Sequence, residues 1–117
     1  MEKFLLLIRE DLVKRSQNTP SQLHHNIQLM LPWVQSMAQV GNFLQADPLA
    51  GNGTYVGKDY VLSDGPFIEA KESISGFFII EAENLEQATS IAQACPLVLN
   101  GTGVVEVRPI MVIPNDR

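Results

Sequence analysis

Positive charge is in short supply. Eight Lys and Arg stand against thirteen Asp and Glu, a formal net charge of −5 at pH 7. Phosphate backbones are gripped by clustered Lys and Arg, and the eight here are scattered, so nucleic acid is not an expected partner. Cysteine is scarcer still: Cys95 is alone, which leaves no internal disulfide. Long hydrophobic runs are missing. Residues 4–8 are apolar but are closed by Arg9, Glu10 and Asp11; such a run is too short for a signal-peptide core and far too short to span a bilayer. The expectation is a cytoplasmic protein with no membrane contact. No His, Cys, Asp and Glu cluster has metal-ligand spacing. "GNGTYVG", residues 51–57, lacks the spacing of a dinucleotide fingerprint. No metal and no cofactor are expected.

What is present is an ordinary globular composition, 45% hydrophobic and 18% charged, which fits one domain over residues 1–117. Residues 3–9 read as a first strand, apolar on both faces. Thr19, Pro20, Ser21 and Gln22 supply a helix start: a Thr cap, Pro at the first helical position and Gln where a capping box needs it. Leu23, Ile27, Met30, Val34 and Met37 follow at spacings of three and four, which predicts one apolar helical face, and Gly41 is the expected stop. Pro32 conflicts with a straight helix, because an interior proline loses a backbone bond. A kink near residues 28–32, or a later helix start, is expected.

A short strand over residues 43–46 comes next. Residues 54–56 and 60–62, either side of Gly57, Lys58 and Asp59, predict a small hairpin. Asp64, Gly65 and Pro66 form a turn, and residues 74–82 a long strand apolar on both faces around residues 77–80. Asn84 caps a second helix with Gln87 three residues on; Leu85, Ala88, Ile91 and Ala92 would be its inner stripe and Pro96 its end. The last strand is expected over residues 104–113. Its alternation sends Val105, Val107, Pro109, Met111 and Ile113 one way, and Val104, Glu106, Arg108, Ile110 and Val112 the other.

Strand, helix, strand with a hairpin, strand, helix, strand is the order of an α+β, ferredoxin-like βαββαβ sandwich with an extra hairpin. Two helices cover only one sheet face, yet two strands are apolar on both. A second copy of the same sheet is the simplest cover, which predicts a face-to-face homodimer, a dimeric α/β barrel. Glu106 and Arg108 then fall on the face meant for the partner. Their ordinary role is a salt bridge with each other or across the dimer; the functional alternative is that Arg108 clamps an anionic small-molecule ligand.

"DGPFIEAKESISGFFII", residues 64–80, resembles the signature of the DGPF proteins, a branch of the YCII-related family. "KFLLLI" at residues 3–8, "GNFLQADPL" at 41–49 and "VEVRPI" at 105–110 stand in the matching order. The resemblance covers nearly the whole chain. It implies the same dimeric barrel but no established general activity. Some DGPF proteins are associated with sigma factors of the extracytoplasmic type, and a relative in the wider family looks like a dehydrochlorinase acting on a chlorinated hydroquinone. Wider-family members often carry a His and an Asp suggested as a catalytic pair. Here the usual His position falls near Met30, whereas Asp64 matches the motif's turn.

Asp64 is the candidate general base, held by a rigid turn; as a structural residue it would cap backbone N–H groups. His25 is a second candidate proton carrier if it reaches a pocket; the ordinary reading of the neighbours His24 and His25 has one on the surface and one against the sheet edge. Lys71 and Glu72, with Glu69, read as a solvated charged hinge, and ligand contact stays open because they belong to the motif. The expected function is a small homodimer with a ligand pocket and cofactor-free proton-transfer or elimination chemistry. The alternative is a non-catalytic ligand-sensing or accessory module linked to sigma-factor regulation.

Overall fold

The structure, a computed structural model, describes residues 1–63 and 73–114. The expectations placed on Asp64, Glu69, Lys71 and Glu72 therefore lie outside the described residues. Four strands make one antiparallel sheet in the order β2-β5-β1-β6: β1 is Glu2–Glu10, β2 Phe43–Pro48, β5 Ser73–Ala82 and β6 Gly103–Pro109. The hairpin of β3 (Thr54–Val56) and β4 (Val61–Ser63) forms its own two-stranded sheet, closed by a bond from the Gly57 N–H to the Tyr60 carbonyl. The chain is thus a mixed α+β protein.

Alternation along the strands sorts the apolar residues. Phe4, Leu6 and Ile8 of β1 and Phe78, Ile80 and Ala82 of β5 are buried, and with Trp33, Met37, Ala88, Cys95 and Leu97 they form the core. Trp33 and Met37 come from helix α2 (Pro20–Gln39), Ala88 from α3 (Leu85–Gln93) and Leu97 from the short α4 (Pro96–Leu99). All helical cover in this core therefore lies on one sheet face. The Trp33 ring tilts against Phe78 at 4.8 Å between centroids, and its indole N–H donates to the Ile91 carbonyl at 3.0 Å, tying α2 to α3 across the sheet.

The helix signals act locally as their chemistry requires. The Thr19 hydroxyl accepts from the Gln22 N–H, and the Gln22 side chain accepts from the Thr19 N–H. At the other end Gly41 takes φ +82°, with its N–H bonded to the Ala38 carbonyl and that of Asn42 to the Met37 carbonyl. This is the paired closure that ends a helix in a left-handed residue. The helix does not start late, and Pro32 lies inside it. It stays helical through a solvent-facing side where Gln28 and Pro32 are both exposed, so water can take the carbonyl that proline leaves free.

Three expectations are corrected. Leu85 is 49% exposed rather than part of the inner stripe; it sits in the first turn, about 60° round the helix from Ala88. Ile27 is likewise exposed, burial in α2 being concentrated from Met30 onward. The last strand ends at Pro109, and Met111 and Ile113 point to solvent instead of the core. Phe4 pairs with Pro109 and the Ile110 N–H reaches the Lys3 carbonyl; β1 itself begins at Glu2, which that register sets opposite Met111, so beyond residue 111 there is no β1 left to pair with. A five-residue helix α1, Leu12–Ser16, lies between β1 and α2. Among the described residues no helix is long and apolar enough to cross a membrane.

Candidate functional site

The sheet face away from the helices carries the densest chemistry. Leu5, Leu7, Phe77 and Ile79 alternate with the core residues and are only partly buried. Leu5 pairs with Ile79 on one side and Arg108 on the other; Leu7 pairs with Phe77 and Glu106. At the opposite edge Gln45 pairs with Ile79 and Asp47 with Phe77, and the Gln45 amide donates to Asp47 at 3.3 Å. Two cross-strand rows result: Gln45, Ile79, Leu5, Arg108 and Asp47, Phe77, Leu7, Glu106. Each has an apolar middle and polar ends.

Glu106 and Arg108 meet as the alternation of β6 required, but Glu106 has a second cation. Arg9 donates through Nε and Nη2 to Glu106 Oε1 at 3.1 and 2.9 Å, while Arg108 Nη1 reaches Oε2 at 3.2 Å. The carboxylate oxygens are thus divided between two guanidiniums. Side-chain exposure is 33% for both Arg9 and Glu106 and 67% for Arg108. The hydrogen bonds from Arg9, then those from Arg108, hold the Glu106 carboxyl below its ordinary value because they favour its charged form.

Arg9 escapes notice in the sequence, where it merely closes a hydrophobic run. Its signal is positional: it follows Leu5 and Leu7 at alternate places in β1, so it shares their face. Only the β1–β6 register brings it within reach of Glu106.

His25 is carried by α2, in the layer on the other side of the sheet, and is exposed. It lines a shallow groove of about 400 Å³ with Asn18, Ser21, Gln22 and Asn26. The structure does not bring it to Glu106 and Arg108. Cys95 is fully buried in the core, and burial pushes its thiol above the ordinary value, the opposite of what a nucleophile needs. Among the described residues no group of three or more His, Cys, Asp or Glu is arranged to hold a metal ion.

Comparison with known proteins places this architecture. The fold resembles that of a 5-chloro-2-hydroxyhydroquinone dehydrochlorinase from Burkholderia phenoliruptrix AC1100, solved in complex with 2,5-dihydroxybenzoquinone. The TM-score is 0.51 at 20% identity, over 91% of this chain and 90% of that one; at this identity the likeness is one of fold. An uncharacterized protein of Rhizobium meliloti (strain 1021), R00369, is 38% identical over 50 residues, 43% of this chain and 40% of the relative's length. Residues 13–114 match the YCII-related domain, and on that extent of match the chain belongs to the YCII-related family.

Proposed function

We propose that two copies of this chain close their open sheet faces on one another as a dimeric α/β barrel, and that the space between the sheets holds a small ligand. The observation that carries the reading is one-sided cover. Helices α2, α3 and α4 pack on one face, while Leu5, Leu7, Phe77 and Ile79 stand only partly buried on the other. A contiguous apolar patch marks an interaction surface, and a two-fold dimer covers it with the same patch of its partner. The strand order β2-β5-β1-β6, with the hairpin set aside, suits a ferredoxin-like sandwich, and residues 64–80 suit the DGPF branch of the family.

The chemistry that fits is cofactor-free proton transfer or elimination on a small polar or aromatic substrate. Asp64 would take the proton, the released electron pair would expel a leaving group such as chloride, and Arg108 would hold an anionic substituent. Family membership and the fold shared with a dehydrochlorinase support this reading. Chloride release from chlorinated hydroquinones tests it: wild type should turn over and Asp64→Asn should not, with the dimer unchanged in sedimentation. Release that survives Asp64→Asn removes the base, and a folded monomer at micromolar concentration removes the barrel.

A second reading, a ligand-sensing or accessory module beside a sigma factor, is favoured by one observation. Both histidines lie on α2 and neither joins the Glu106 cluster. On that reading Asp64→Asn alters stability or partner binding alone.

A further inference from the structure

Two guanidiniums share one carboxylate on the open face, so the cluster carries a surplus positive charge. The two arginines are not equivalent. Arg9 holds Oε1 with two N–H groups and is as sheltered as Glu106, whereas Arg108 makes one 3.2 Å bond and its side chain is 67% exposed. Arg108 is therefore the group that can leave, because Glu106 remains paired when it does. Were Glu106 held by Arg108 alone, departure would strand a half-buried charge.

The register says what Arg108 would turn beside. Neighbouring strands lie ~4.8 Å apart and alternate residues ~6.7 Å, so Leu5, Leu7, Phe77 and Ile79 make a floor of roughly 5 by 7 Å. That is the footprint of one flat ring. Arg108 borders the floor next to Leu5, and Asp47 borders the far side next to Phe77. A molecule with one anionic end is attracted to the Arg108 edge and repelled from the Asp47 edge, which sets its direction.

We propose that this face binds a small carboxylate with a flat apolar body, the body on the four-residue floor and the carboxylate on Arg108, and that Arg9 is a positioning residue that keeps Glu106 paired while Arg108 engages the ligand. The proposal rests on the open face being the ligand face and requires no reaction.

Titration with benzoate, its neutral counterpart benzamide, and acetate, followed by NMR in low salt, tests it. Benzoate should bind about tenfold more tightly than either, since a charge-assisted bond and an apolar body are both required. Arg108→Gln should lose that advantage and leave benzamide as before. Arg9→Gln should weaken benzoate although Arg108 is intact, because Glu106 then claims Arg108. Adding Glu106→Gln to Arg9→Gln should restore binding, a rescue that a purely structural role for Arg9 does not produce. Equal binding of benzoate and benzamide, or no binding of benzoate, overturns the site with no variant needed. Failure of the rescue overturns the role of Arg9. Sedimentation of the same samples separates the two readings: a dimer indifferent to benzoate ends the site alone, and a monomer that binds it ends the pairing alone.

Discussion

Leu6 and Leu7 are neighbours in β1 that face opposite sides of the sheet, and truncating each in turn weighs the cover on the two faces. Leu6 is fully buried in the core, paired with Phe78 and Val107. Leu6→Ala leaves a cavity under α2 and α3 and should cost about 3 kcal/mol, within the range for buried leucines. Leu7 is partly buried and pairs with Phe77 and Glu106. In a lone chain Leu7→Ala removes a side chain already partly in water, a loss of about 1 kcal/mol. Under a second sheet the same change empties a packed site in both copies and approaches the cost of Leu6→Ala. Urea unfolding reports both, because Trp33, the one tryptophan, packs at 4.8 Å on Phe78 and leaves that contact on unfolding. With the face covered, the wild-type midpoint should also rise with protein concentration, as mass action requires. A Leu7→Ala cost of about 1 kcal/mol or less at every concentration, with a wild-type midpoint that does not move, refutes the covered face. A Leu6→Ala cost that small refutes the assignment of the core.

Acidification should draw on the charge cluster. Glu106 is held below its ordinary value of 4.5, so the unfolded chain protonates first as pH falls. Its contribution is present above about pH 4.5 and is lost as pH drops through the depressed value. Arg9→Gln should flatten the acid limb of a stability–pH curve, and an unchanged limb would contradict the pairing. Cys95 should be inert to a thiol reagent in the native protein and react on unfolding, since it is buried with its thiol pushed up; rapid native reaction would place it outside the core. Gly41→Ala should cost about 1 kcal/mol in thermal or urea unfolding despite open space around it, because only the φ of +82° is violated; a neutral substitution would show that the helix end relaxes.

Features written in adjacent residues were legible from the chain alone. The capping box at Thr19, the stop at Gly41, the cap at Asn84 and the hairpin turn each depend on contacts within a few residues, so sequence order is nearly the geometry. Strand periodicity also sorted Val105 and Val107 from Glu106 and Arg108 before any partner strand was known. What failed depends on where an element stops being covered. Leu85, Ile27, Met111 and Ile113 have the right spacing for burial, but spacing says which face a residue shares and not whether anything lies over it.

Composition, local capping and period-two alternation came from the order of residues, because each is decided by covalent neighbours and backbone sterics. The sheet order β2-β5-β1-β6, the register of β1 on β6 and the capture of Glu106 by Arg9, 97 positions away in the chain, belong to tertiary structure. Charges that far apart meet only once the entropy of bringing the strands together has been offset by burial of the core on the opposite face.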